Sequence, residues 1–211
     1  MCVLTFIITV IFQWMKHYLT NVIGISDNKA DFLFIIFSTT SPLLGVLFGG
    51  FVVQKIGGYS HNNCLYFMLV NSTICAILSI IIFFVRDYVA FSIIMWFIIF
   101  CGASMVPNLS GSIISTLPHD LKGSGYALSN ILHSILGHLP AGFAYGYMYD
   151  AFKNTTPSLA LSICLSTSGL GAILMLITIL LKKTSWYSKQ DLDGDPLEEF
   201  KEKIVVTEEN R

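Results

Sequence analysis

Polar side chains recur at helical spacing in an apolar stretch near the start of the chain. Thr9, Gln13 and Lys16 follow one another in steps of four and three, so a helix would place them on one face, with His17 beside it. These groups can bind a polar solute, and an imidazole can also exchange protons near neutral pH. Hydrocarbon does not solvate them, so the stripe indicates a helix that faces a polar cavity or hydrogen-bonds to other helices. Lys16 either faces that cavity or snorkels to the headgroups.

Two later stretches carry further candidates of the same kind. Asn130, His133 and His138 recur at helical spacing among small residues, and Asn108 follows Pro107 in a glycine-rich stretch. A Gly and Pro interruption beside an Asn is typical of a bent helix that lines a cavity, although tight packing is the alternative. No Asp or Glu lies in the middle of these stretches, which leaves the histidines as the candidates for proton exchange.

The elements that must position these residues are membrane spans. Hydrophobic residues make up 54% of the chain and charged residues only 12%, and the charges fall mostly in short polar breaks or near the C-terminus. Six apolar runs result, at 2–24, 30–54, 63–85, 89–115, 123–148 and 158–181. The sequence therefore predicts an all-α, polytopic membrane protein with six transmembrane helices. In the second run, Gly45 and Gly49 form a small-xxx-small pair that lets two helices approach closely.

Other classes of protein fit the sequence poorly. We expect no nucleic-acid partner, because basic patches are absent, and no cofactor, metal or enzymatic activity, because no nucleophile, metal cluster or phosphate loop is present. The five cysteines lie in or beside apolar runs and are expected to be packing residues. Residues 184–211 form an acidic segment that we expect to be a disordered cytoplasmic tail. The plasma membrane and an endolysosomal membrane both fit this chain.

The loop after the second run contains a recognisable pattern. Gly50, Lys55 and Gly57 match a loop in which a Gly, three residues, an Asp, a basic residue, any residue and a Gly precede basic residues. Gln54 stands where that loop has the Asp, and Gly58 stands where it has a basic residue. The segment resembles the signature loop of the major facilitator superfamily.

A second segment, 117–150, extends the resemblance. It is similar to the eleventh helix of the Spinster-like lipid transporters and, more distantly, of the organic anion transporting polypeptides. The matching positions are Leu117, Pro118, Lys122, Gly125, Ala127, Gly137, Pro140, Gly142, Gly146 and Asp150. On this register the six runs correspond to helices seven to twelve of the family fold, and the resemblance covers residues 1–183.

The resemblance implies one half of a secondary transporter that moves a lipid-like or organic anionic solute by alternating access. In such a half the first, fourth and fifth helices line the substrate cavity, and Lys16 would attract an anionic headgroup. The predicted cavity residues are Thr9, Gln13, Lys16, His17, Asn108, Asn130, His133 and His138. The expected partners are membrane lipids, the substrate, and either a missing N-terminal half or a second six-helix chain. We favour a partial chain, because the first residues already belong to a span.

The competing interpretation is a non-transporting membrane protein. In a scaffold or regulatory half, the same polar faces would serve only to pack helices together.

Overall fold

A computed structural model describes residues 1–59, 62–85, 87–154, 156 and 158–193. Within these ranges the regular structure is helical and there is no strand, which confirms the prediction of an all-α chain. The helices are α1 (Cys2–Tyr18), α2 (Asp27–Lys55), α3 (Asn62–Phe84), α4 (Tyr88–Thr116), α5 (Lys122–His133), α6 (Leu139–Phe152), α7 (Ser158–Ser166) and α8 (Ser168–Asp193). A π-helical segment extends α1 over Leu19–Ile23, another joins α5 to α6 over Ser134–His138, and a 3-10 turn over His119–Leu121 precedes α5.

Five helical segments in the described ranges are long and apolar enough to span a membrane. They are Cys2–Ile23, Asp27–Lys55, Asn62–Phe84, Tyr88–Thr116 and Ser158–Lys182. These match the predicted spans except the fifth, so five of the six predicted spans have the length and apolar character that a membrane span needs. The fifth predicted span, 123–148, is helical from Lys122 to Phe152. Its small and polar residues make it less apolar than the others, and it is not among the five.

A tight turn sets α1 beside α2. Gly24 ends the π-helical extension of α1 with a φ of 83°, a left-handed conformation that glycine adopts without steric cost. Residues at similar distances before and after this turn therefore lie opposite one another on α1 and α2. Phe12 meets Phe34 edge to face, with ring centroids 6.1 Å apart, and Lys16 lies opposite Asp31.

The α2–α4 crossing is built on residues four apart. Buried positions on α2 recur at Phe37, Ser41, Gly45, Gly49 and Val53. A Cβ atom at Gly45 would lie 2.5 Å from the carbonyl oxygen of Phe100, and one at Gly49 would overlap the carbonyl oxygen of Ser104. The backbones thus touch where the small-xxx-small pattern predicts close approach.

The helical segment from Lys122 to Phe152 is interrupted in its middle. Pro140 lies in the first turn of α6 and has no N–H with which to continue the hydrogen-bond ladder. The π-helical segment Ser134–His138 comes just before it and reorganises the backbone there. This irregular region is also where the segment packs against α1.

The central helices are α1 and α4. In an apolar 18-residue stretch of each of these two spans, 44% and 56% of the residues are buried, against 22%, 33% and 22% in the corresponding stretches of the other three. α1 contacts α2, α4, α5, α6 and α7, and its buried side chains form the middle of the larger apolar core. A polar residue on the open side of α1 therefore lies near the middle of the bundle rather than at its edge.

The C-terminal part of the chain is helical beyond the predicted end of the spans. α8 continues to Asp193, so the structure describes the first ten residues of the predicted tail, 184–193, as helix. The remainder of that tail, 194–211, lies outside the described residues.

Candidate functional site

The polar stripe predicted on α1 forms one side of that helix. Gln13 and Lys16 are exposed, Thr9 is buried at the end of the stripe, and Thr20 continues it one turn beyond Lys16. The Thr9 hydroxyl donates to the backbone carbonyl of Thr5 at 2.7 Å. Most of the other α1 side chains are buried or half-buried by neighbouring helices, so the open side of α1 is its polar side.

Lys16 forms an ion pair inside the first two spans. Its Nζ lies 2.7 Å from Asp31 Oδ1 and 3.0 Å from Oδ2, and the two side chains are 50% and 49% exposed. The structure thus gives Lys16 a carboxylate partner on the second helix. Asp31 was not among the predicted site residues. The sequence feature that could have identified Asp31 is its spacing of four residues from Asp27 within the second apolar helix.

The fifth predicted span meets the same side of α1. His138 Nδ1 lies 2.5 Å from Thr9 Oγ1, and a Cβ atom at Gly142 would lie 2.9 Å from Gln13 Oε1. Because the Thr9 hydroxyl proton is directed at its own helix, this oxygen is placed to accept a hydrogen bond from the His138 ring. The structure therefore brings His138 to Thr9 and Gly142 to Gln13, along the side of α1 on which the helical spacing places Thr9, Gln13 and Lys16.

His17 borders the stripe and packs into an aromatic cluster. Its ring contacts Tyr149 at 4.6 Å, Trp14 at 5.7 Å and Tyr145 at 6.4 Å between centroids, each nearly at a right angle. Neither Trp14 nor Tyr145 was predicted as a site residue, because both look like ordinary apolar packing in the sequence. The cluster joins α1 to α6 beside the polar side of α1.

The remaining predicted cavity residues do not join these contacts. Asn108 is fully buried, and its amide nitrogen donates to the Ser104 carbonyl at 2.7 Å within α4. His133 is half-buried on α5, and its Nδ1 donates to the carbonyl of Ser129 at 2.9 Å in the same helix. Asn130 is half-buried one turn before it. The structure places Asn108 in packed protein and not on an open side.

The predicted motif loop ends α2. Gly57 and Gly58 have φ values of 105° and 88°, and Gly58 N–H donates to the Val53 carbonyl at 2.9 Å, which is a glycine-based helix cap. Gln54 and Lys55 are exposed in the last turn of the helix, and Lys55 Nζ lies 4.7 Å above the ring centre of Phe51. Gly50 faces open space one turn earlier. Capping accounts for Gly57, and the left-handed φ of Gly58 disfavours a basic side chain there.

The described residues contain no group of three or more His, Cys, Asp or Glu side chains that could hold a metal ion. The polar side of α1 offers hydrogen-bonding groups and one half-exposed ion pair.

The chain matches no family model, and comparisons with curated proteins and with solved structures gave no match either.

Proposed function

We propose that this chain is one half of a secondary membrane transporter, a six-helix unit of the major facilitator type. It would move a lipid-like or organic anionic solute by alternating access between two such units. The second unit is either an N-terminal half or another six-helix chain. The helix from Lys122 to Phe152 is the sixth span in this proposal, and its contacts with α1 support that position.

The observation that carries the proposal is the half-exposed Lys16–Asp31 pair, which lies inside apolar spans next to exposed Gln13. Charged groups within membrane helices almost always face a bundle interior or a water-filled cavity, because hydrocarbon solvates them poorly. In this structure the pair lies on an open side of the chain. Water or another polar surface must therefore cover it in the membrane.

Lys16 supplies the cation that an anionic substrate needs. A carboxylate or phosphate group that reached Lys16 would compete with Asp31 for the ammonium group, and the charges would balance only if Asp31 took up a proton or a cation accompanied the substrate. The exposed Phe12 beside the stripe offers contact to an apolar tail. An amphiphile with an anionic head fits both features.

A scaffold or regulatory membrane protein is the second candidate. The burial of Asn108 favours it, since this predicted cavity residue serves packing within α4. In a scaffold, the Lys16 side of α1 would be covered by a polar surface of another membrane protein and would exclude water.

Cysteine accessibility distinguishes the two candidates. Gln13→Cys and Lys16→Cys are made in a background whose native cysteines are replaced by alanine, and the chain in membranes is treated with a charged, water-soluble thiol reagent. Two variants serve as controls: Ile77→Cys on the outer side of α3, where the side chain is 53% exposed, and Asn108→Cys, which is buried.

The transporter proposal expects fast labelling at Gln13→Cys and Lys16→Cys and slow labelling at both controls. If none of the four cysteines reacted with the reagent, the result would contradict a water-filled path and favour the scaffold. Labelling at Ile77→Cys would show instead that the chain is not embedded as proposed.

A further inference from the structure

Two cavities lie between α2 and α4, on the part of these helices that precedes their close crossing. The first, of about 270 Å³, is lined by Asn28, Lys29, Phe32, Leu33 and Tyr88. The second, of about 280 Å³, is lined by Phe37, Ser92, Ile93, Trp96 and Phe97. On each helix the lining positions recur every four residues, as from Lys29 through Leu33 to Phe37, so they follow one side of the helix. The two cavities are therefore successive parts of one cleft.

The length of the cleft is close to the depth of one lipid leaflet. Ser41 donates to the Trp96 carbonyl at 2.7 Å, which closes the cleft at one end. Two turns further along, Gly49 faces the carbonyl of Ser104, so α2 and α4 run in the same direction and begin at the same membrane surface. From Lys29 to Ser41 an α-helix rises about 18 Å, and half of a bilayer core is about 15 Å thick.

The cleft is polar at its outer end and apolar along the rest of its length. Asn28, Lys29 and Tyr88 supply an amide, an ammonium group and a phenol at the level where both helices begin. The second cavity is lined by aromatic and aliphatic side chains apart from Ser92, whose hydroxyl donates to the Tyr88 carbonyl of its own helix at 2.6 Å. This order of groups matches an amphiphile whose head lies at the membrane surface.

Lys29 supplies a cation at the outer end. Among the described residues, no carboxylate lies within ion-pair distance of its ammonium group. Asp27 and Asp31 are each two positions away on α2 and so lie on other sides of that helix, and Asp31 pairs with Lys16. Asp87 caps the start of α4. An exposed ammonium group at this level attracts the phosphate of a lipid head group.

We propose that the α2–α4 cleft binds one phospholipid molecule, with its phosphate at Lys29 and an acyl chain against Phe37 and Trp96. Phe32 and Phe97 border the cleft and are 66% and 49% exposed, so a chain can enter from the surrounding bilayer without separating the helices. This inference does not depend on transport, since a scaffold in the same bilayer would contain the same cleft.

The first test uses the fluorescence of Trp96, which lines the deeper cavity. The full chain is purified in detergent with Trp14→Phe and Trp186→Phe, which leaves Trp96 as its single tryptophan. A phospholipid brominated on its acyl chains is then added, because bromine quenches an indole that it contacts. We expect quenching that saturates with lipid concentration. A control protein with Trp96→Phe and Phe143→Trp, whose tryptophan lies at a 75% exposed position of α6, should show only weak quenching without saturation.

The second test determines whether Lys29 binds the phosphate. The titration is repeated with Lys29→Gln, and with a brominated diacylglycerol that has the same chains and no phosphate. Either change should raise the half-saturating concentration about five-fold, the contribution of one lysine near a membrane surface, and the two together should raise it no further. Lys55→Gln is the matched control, because this exposed lysine lies at the other end of α2 and should leave binding unchanged.

Three results would overturn the proposal. They are equal quenching of the two reporter tryptophans, quenching of Trp96 without saturation, and a phospholipid affinity that Lys29→Gln leaves unchanged. If a second copy of the chain fills the cleft instead, Trp96 stays unquenched at every lipid concentration and the protein migrates as a dimer, which also overturns it. Each of these failures leaves the transporter proposal standing, because that proposal depends on labelling at Gln13→Cys and Lys16→Cys.

Discussion

The α2–α4 contact and the contact of α1 with the segment 134–152 both rely on glycine, but they differ along their length. Gly45 and Gly49 each face backbone atoms of α4, and an added Cβ atom would clash with that backbone at both positions. In the second contact, a Cβ atom at Gly137 would lie 2.9 Å from the Cys2 carbonyl oxygen, whereas one at Gly146 would lie 3.5 Å from the Trp14 ring. The α2–α4 contact is uniform, and the contact with α1 becomes looser toward α6.

The polar groups in the two contacts follow the same difference. Between α2 and α4, the Ser41 hydroxyl donates to the Trp96 carbonyl at 2.7 Å, and Trp96 Nε1 donates to Thr40 Oγ1 at 3.0 Å. At the looser end of the α1–α6 contact, Trp14, His17 and Tyr145 leave polar atoms without a protein partner. The polar groups named in the first contact are paired within the protein, whereas three in the second contact have no protein partner.

The largest effect is expected at Gly49. Gly49→Ala places a methyl group on the Ser104 carbonyl, and the backbone cannot yield without separating α2 from α4. We expect the free energy of unfolding to fall by about 3 kcal/mol, the upper end of the usual cost of overpacking. Gly50→Ala is the matched control, because the next position has open space and an alanine favours the helix. A stability loss no larger than that of the control, measured by denaturant titration in detergent, would show that the crossing is not rigid.

The next prediction compares two glycines of the looser contact. Gly137→Ala meets the Cys2 carbonyl and the Thr5 side chain and should cost about 1–2 kcal/mol, as moderate overpacking does. Gly142→Ala meets only the end of the flexible Gln13 side chain, which can rotate away, so its cost should stay below about 0.5 kcal/mol. Equal costs in the same titration would remove the distinction between the two ends of the contact.

The sequence predicted the features that depend only on the spacing of residues along one helix and on the length of the apolar runs. Apolar runs of sufficient length gave five spans that the structure also contains, and the four-residue spacing of Gly45 and Gly49 gave the close crossing. The spacing of Thr9, Gln13 and Lys16 gave a common side of α1 for the same reason. Each of these inferences needs only the geometry of one helix.

The features that the sequence missed depend on a second helix. Asn108 has the residue type and setting of a cavity residue, but the rotation of α4 turns it into packed protein. Asp31 lies close to the start of α2, and only the α1–α2 hairpin brings it level with Lys16. Trp14 and Tyr145 are aromatic residues in apolar runs, and nothing in the sequence shows that their polar atoms are left unpaired.

A smaller effect is expected at Ser41. Ser41→Ala removes one hydrogen bond to the Trp96 carbonyl but adds no bulk, so the loss should be about 1 kcal/mol, near the average for a hydrogen bond between membrane helices. Ser38→Ala is the control, since that hydroxyl bonds to the Ile35 carbonyl of its own helix. If the two variants lose the same stability, the Ser41 bond adds nothing to the contact between α2 and α4.

The smallest effect is expected at the Lys16–Asp31 pair, where the size of the coupling tests whether water covers the open side of α1. In a double-mutant cycle with Lys16→Gln and Asp31→Asn, a hydrated pair should couple by less than about 1 kcal/mol. The exposed Lys153–Asp150 pair, at 3.2 Å near the end of α6, provides the benchmark for a pair in water.

A covered pair would behave differently in the same cycle. Lys16→Gln alone would then leave the Asp31 carboxylate without its partner in a poorly solvating environment, at a cost of about 3–5 kcal/mol, and the second substitution would restore much of the loss. Coupling of that size would show that the Lys16 side of α1 is shielded from water, as the α2–α4 crossing is. Coupling equal to that of Lys153–Asp150 would instead show that water covers the Lys16 side of α1.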